Sequence, residues 1–160
     1  MLLKQTQYNL WANQTICDFI IKAGETVADV EQKSSFTSVR KTLLHIRDGQ
    51  VIWLNRLNGI SLAVYPSKDF KGNLSDVVDG LLKSSQQYID YVQALNENFD
   101  SVIAYQTFDG KQFENRVEDI VFHCMNHSTY HRGQIISLLR GAGFTEVGST
   151  DYMRYCRKVM

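Results

Sequence analysis

Apolar side chains recur at helical spacing in four long stretches of the chain, and each stretch is bounded by residues that start or stop helices. The first covers 2–22, where Leu3, Leu10, Ile16, Cys17, Ile20 and Ile21 follow three- and four-residue steps and Gly24 ends the run. The second starts near Thr37 or Ser38, either of which can cap a first turn, and runs to about Leu57. Its stripe is Val39, Leu43, Ile46, Trp53 and Leu57, and Asn58-Gly59 stops it. The third covers about 74–95, with Asn73 as cap, Asp76 at its third position, and Leu81, Leu82, Tyr88, Ile89 and Val92 along it. The fourth ends near Arg140, before Gly141 and Gly143. Asn115, followed three residues later by Glu118, predicts its start as a capping box.

Between the third and fourth stretches the pattern changes. Residues 101–108 are rich in β-branched and aromatic types, and Asp109-Gly110 follows as a hairpin turn signal, which predicts a short two-stranded ribbon. Residues 31–35 are polar and read as a loop. Residues 61–72 hold Pro66 and have no periodicity; they are long enough to cross from one end of a bundle to the other. Residues 151–158 predict one or two further helical turns. The sum is an all-α fold: a four-helix bundle with a long crossover between the second and third helices and a short β-ribbon before the fourth. The long link permits parallel neighbours, so a simple up-down order does not follow.

Composition narrows the function classes. The chain has 160 residues, 44% of them apolar, which suits one domain over residues 1–160 with a sizeable core. It carries 17 basic and 17 acidic side chains, for a net charge of zero, so no polybasic surface for nucleic acid is expected. Cys17, Cys124 and Cys156 are odd in number and far apart, which argues against a disulfide scaffold and for a reducing, cytoplasmic setting. The first segment is amphipathic rather than continuously apolar, so neither a signal peptide nor a membrane span is expected.

The histidines carry the candidate chemistry. His123, His127 and His131 fall at successive four-residue steps on the fourth helix. Side chains four apart share a face, and two imidazoles so placed can converge on one ion at about 2.0–2.1 Å from each nitrogen. All three cannot do so, because His123 and His131 are separated by a rise of about 12 Å. The helix therefore supplies His123 and His127 or His127 and His131. Ile120, Cys124, His127, His131, Ile135 and Leu138 form one stripe, with His123 at its flank. Imidazoles in an apolar wall need partners for their nitrogens, and a metal satisfies them. His45 lies mid-way along the second helix, to one side of its main stripe, on a track with Gly49, Ile52 and Arg56. Its position counts mildly against a ligand role unless that helix borders the cavity obliquely. Gly49, a poor helix former one turn later, suggests space for a close approach. Cys124 lies about one turn from His127, and Asp48 reads as a solvated charge or as an acceptor for an imidazole N–H. Arg56 and Arg132 read as surface or packing charges, or as holders of an anionic substrate.

The run Asn126-His127-Ser128-Thr129-Tyr130-His131-Arg132-Gly133-Gln134-Ile135 resembles the N-H-x-x-x-H-R-G-Q-I signature of the DinB-like superfamily of bacterial four-helix-bundle metalloproteins. Leu44-His45-Ile46 with Asp48 and Trp53-Leu54, residues 8–13, and Thr150-Asp151-Tyr152 with Tyr155 are similar to further family segments in the same order. The resemblance implies a metal site of His45, His127 and His131, with His123 as a neighbour. It implies a nickel or zinc ion, a homodimer, and a small-molecule substrate. Relatives that use low-molecular-weight thiols point to a metal-dependent S-transferase or hydrolase. The alternative is a non-enzymatic, metal-binding or dimerising helical stress protein. The damage-inducible label of the family does not carry DNA binding to a chain of zero net charge.

Overall fold

The computed structural model describes residues 1–96 and 98–159. Its elements are α1 (Leu2–Ala23), α2 (Glu25–Ala28), α3 (Val39–Leu57), α4 (Leu74–Ala94), β1 (Val102–Gln106), β2 (Gln112–Arg116), α5 (Val117–Gly141) and α6 (Tyr152–Lys158). The expected all-α bundle with its ribbon is present, and α2 is an addition. At four residues α2 is too short to show a periodicity.

Local chemistry explains most boundaries. Ser38 accepts the Lys41 backbone N–H at 3.3 Å and opens α3. Asn73 and Asp76 form a reciprocal capping box on α4. Asp151 accepts the Arg154 N–H at 3.1 Å and opens α6. The expected start of α5 is corrected. Asn115 lies in β2, paired with Ile103, and its Oδ1 accepts from the Tyr105 hydroxyl at 2.7 Å. The strand runs directly into the helix, and Arg116 provides no side-chain cap. Instead, the Val117 and Glu118 N–H groups donate to the Ser101 and Phe99 carbonyls, so the preceding segment satisfies the first turn.

Two apolar clusters fix the direction of each helix. Leu2, Leu57, Tyr88, Val92 and Val117 gather at one end of the bundle. Ile20, Val39, Leu43, Leu74, Val77, Ile135 and Leu139 gather at the other. The chain therefore runs up α1, down α3, down α4 and up α5. α1 packs on α4 and α5, and α3 packs on the same two helices, which places α1 and α3 diagonally. α3 and α4 are parallel neighbours, so the link between them must travel the length of the bundle. Gly59, at φ 78°, turns the chain out of α3 into that crossover.

A buried polar layer crosses the middle of the bundle. Gln50 of α3 accepts from Ser84 of α4 at 2.6 Å and donates to Ser128 of α5 at 3.4 Å. Asn13 of α1 donates to Ser85 at 2.9 Å and accepts from Arg132 of α5 at 2.8 Å. All four long helices are joined there, which fixes their rotation about their own axes. The ribbon packs beside α3 and α5, with Tyr105 edge-on to Trp53. No helix among the described residues is long and apolar enough to cross a membrane.

Candidate metal centre

α3 and α5 are antiparallel neighbours, and their facing surfaces bring three imidazoles together. His45 stands two turns into α3, and His127 and His131 stand one turn apart on α5. The Nε2 atoms of His45 and His127 are 2.9 Å apart. One ring nitrogen from each of His45, His127 and His131 lies within 4.8 Å of the others. Among the described residues these three alone form the group; His123 is not in it. Of the two α5 pairs left open by helical spacing, the structure gathers His127 and His131 around His45. His45 reaches them from the side of its helix, so α3 does border the site obliquely.

Each ring is held differently. Phe36, in the loop before α3, stacks on His45 with centroids 4.1 Å apart and planes inclined by 24°. Its edge also faces His131. His127 rests over Gly49: a Cβ at that position would sit 2.9 Å from His127 Cε1, closer than packed carbon atoms tolerate. The glycine thus leaves room for the His127 ring. His131, 6% exposed, has Nδ1 2.7 Å from Gln134 Oε1.

The electrostatics suit a cation-binding set. Burial, then repulsion from His131, pushes the His45 pKa down to about 4. Burial, then the neighbouring imidazoles, takes His127 down to about 3. Both rings are neutral at pH 7, with lone pairs available to an ion. Three imidazoles converging on one point, over a glycine that makes the space, fit a borderline divalent metal.

The remaining candidates sit elsewhere. His123 is exposed, its ring 5.9 Å from that of His127 and edge-on to Trp53. Cys124 is buried, 3.0 Å from the Tyr88 hydroxyl, and burial raises its thiol to about 12. It is a core residue and no ligand. Arg132 is 2% exposed and donates to Asn9, Asn13 and Thr129, which leaves no reach to a substrate. Arg56 is also buried, between the rings of Trp53 and Tyr105 at 4.4 and 4.7 Å. Both arginines are packing charges. Asp48 is not solvated: it is 3% exposed and accepts a hydrogen bond from Ser67 of the crossover. Its expected role as an imidazole acceptor is not seen; Gln134 takes that part for His131. Phe36 and Gln134 touch the site although the sequence pattern does not single them out. Gln134 stands three positions after His131, a spacing at which helical side chains meet, whereas Phe36 has no local signal.

The DinB family model matches residues 1–158. The chain belongs to the DinB family. It is 28% identical over 159 residues to Protein DinB of Bacillus subtilis (strain 168), which covers 95% of this chain and 91% of that protein. Membership of the DinB family and the convergence of His45, His127 and His131 are both compatible with metal binding.

Proposed function

We propose that this protein is a metal-dependent enzyme that holds a nickel or zinc ion at His45, His127 and His131 and acts on a small molecule. The favoured reaction is transfer or hydrolysis involving a low-molecular-weight thiol. The observation that carries the reading is the donor count: three imidazole nitrogens within 4.8 Å, with no fourth histidine, cysteine or carboxylate in the group among the described residues. Structural sites close with four protein ligands, whereas three leave room for a reactant. A divalent ion held there supplies Lewis acidity, which polarises or helps deprotonate a thiol, water or carbonyl group brought to it.

The chain's own residues provide a place for the rest of the substrate. A cavity of about 360 Å³ opens beside His45, lined by Phe36, Leu44, Tyr65, Asp48 and Ser67. Its aromatic and aliphatic walls suit the apolar body of a substrate, and the Ser67–Asp48 pair closes one side of it. Lys41 at the edge is paired with Glu31 at 2.6 Å. The family resemblance also supports a homodimer, which light scattering on the eluted protein tests.

The test of the enzyme reading is turnover. Protein loaded with nickel or zinc, and protein stripped by chelator, are given a panel of small thiols with an electrophilic acceptor, and products are read by mass spectrometry. The reading expects product from the loaded protein and none from the stripped form or from His127→Ala. Equal yields with and without metal contradict it and favour a non-enzymatic helical module.

A further inference from the structure

The three imidazoles differ in what orients them. His45 is held by the face of Phe36 and His127 by the gap over Gly49, which are contacts of shape. Among the described residues, the hydrogen bonds at their ring nitrogens reduce to the contact between the two Nε2 atoms. His131 alone has an outside hydrogen-bond partner, Gln134 Oε1, at 2.7 Å from Nδ1. Gln134 lies on the same helix three residues later, and α5 is anchored on both sides of it by the buried Ile135 and Arg132. The side chain is half-buried, so water competes weakly for the bond.

We propose that Gln134 is a positioning residue that fixes the tautomer and the rotation of His131, so that its Nε2 lone pair faces the other two imidazoles. The inference rests on the metal-site reading and adds to it a residue that touches no ion. A neutral imidazole carries one proton. If Nδ1–H donates to the Gln134 carbonyl oxygen, Nε2 is left as the acceptor that an ion requires. The opposite amide orientation would make Gln134 the donor, place the proton on Nε2 and remove His131 from the set. An amide is also a neutral acceptor. It orients the ring without adding the negative charge that a carboxylate would place behind the ligand, and so leaves more of the positive charge of a bound ion uncompensated.

The test measures zinc and nickel affinity by competition with a chelating dye. The variants are Gln134→Leu, which removes the acceptor, and the acceptor-retaining Gln134→Glu. Removal of the acceptor weakens metal binding by about 10- to 100-fold, the usual effect of losing such a partner. Gln134→Glu restores affinity to the wild-type value or tighter. The melting temperature of metal-free Gln134→Leu stays close to wild type, which separates positioning from folding. Wild-type affinity in Gln134→Leu, while the wild-type protein itself binds metal, overturns the inference and leaves the metal site standing. Absence of metal binding by the wild type overturns both. Should Gln134→Leu fail to fold, nitrogen-15 spectra of the metal-loaded wild type decide: the proton of His131 on Nδ1 supports the inference, and on Nε2 it overturns it.

Discussion

The Nε2 atoms of His45 and His127 lie 2.9 Å apart, although 82 positions separate the two residues in the chain. Two neutral imidazoles at that distance share one proton in the absence of an ion. An ion that took both lone pairs would require the donor ring to carry its proton on Nδ1 instead, a change of tautomer with no net proton released at pH 7.

Gly49→Ala separates metal affinity from helix propensity. Alanine is favoured over glycine inside a helix by roughly 1 kcal/mol. The new Cβ would meet His127 Cε1 at 2.9 Å, and the ring must turn away. Metal affinity is expected to fall by at least about tenfold, given that ligands must be held to fractions of an ångström, while metal-free stability changes little. Dye competition and thermal melting measure the two quantities on the same sample.

Stability of the metal-free protein depends on pH through the same rings. The folded-state pKa values of His45 and His127, about 4 and about 3, lie below the ordinary value of 6.5. The unfolded chain therefore binds protons that the folded chain refuses as pH falls below 6.5. The stability present above that value is lost progressively as pH falls from 6.5 towards about 3. The melting temperature at pH 5 is expected below that at pH 7, and the difference should shrink in a His45→Ala, His127→Ala double variant. An equal difference in the variant would assign the effect to other groups.

Asn13→Ala tests the polar layer. Arg132 is buried with neutral acceptors in place of a carboxylate, and Asn13 is one of them while also donating to Ser85. Truncation leaves a buried guanidinium short of a partner and is expected to cost about 2–4 kcal/mol in urea unfolding. Metal affinity per folded molecule should move far less than in Gly49→Ala, because Asn13 contacts no ligand.

Asp48→Ala releases the crossover. Asp48 holds Ser67, and Tyr65 stacks on Phe108 of the ribbon turn at 4.5 Å. Loss of the carboxylate removes one of the ties that hold the crossover to α3. Amide exchange over residues 61–72 should accelerate, with little change in α4 and α5. Unchanged exchange would mean that the segment's other ties, among them Tyr65 against Phe108 and the Gln106 N–H on Ser61, secure it.

The four long helices were legible because their signals are local. Ser38, Asn73 and Asp76 cap where their types predict, Gly24 closes α1, and Gly59 and Gly143 turn the chain just beyond α3 and α5. Asn115 misled because the same residues also satisfy a strand, and pairing with Ile103 prevails over a cap. The His127/His131 pair was visible as a spacing, but the choice between pairs and the inclusion of His45 came from family resemblance, since wheel position alone argued against His45. The oblique border of α3 is a product of packing. Phe36 is a loop residue whose stack on His45 exists only after α3 and α5 meet. The burial of Arg56, Asp48 and Arg132 was equally invisible, because each is covered by an element distant in sequence.

Metal content decides whether His45, His127 and His131 hold an ion. The protein is made without a histidine tag, loaded with nickel or zinc, freed of loose ions by gel filtration and measured by plasma mass spectrometry. A three-histidine site predicts about one ion per wild-type chain and less than about a tenth of that in His127→Ala. Equal metal in both proteins, or none in the wild type, would contradict it.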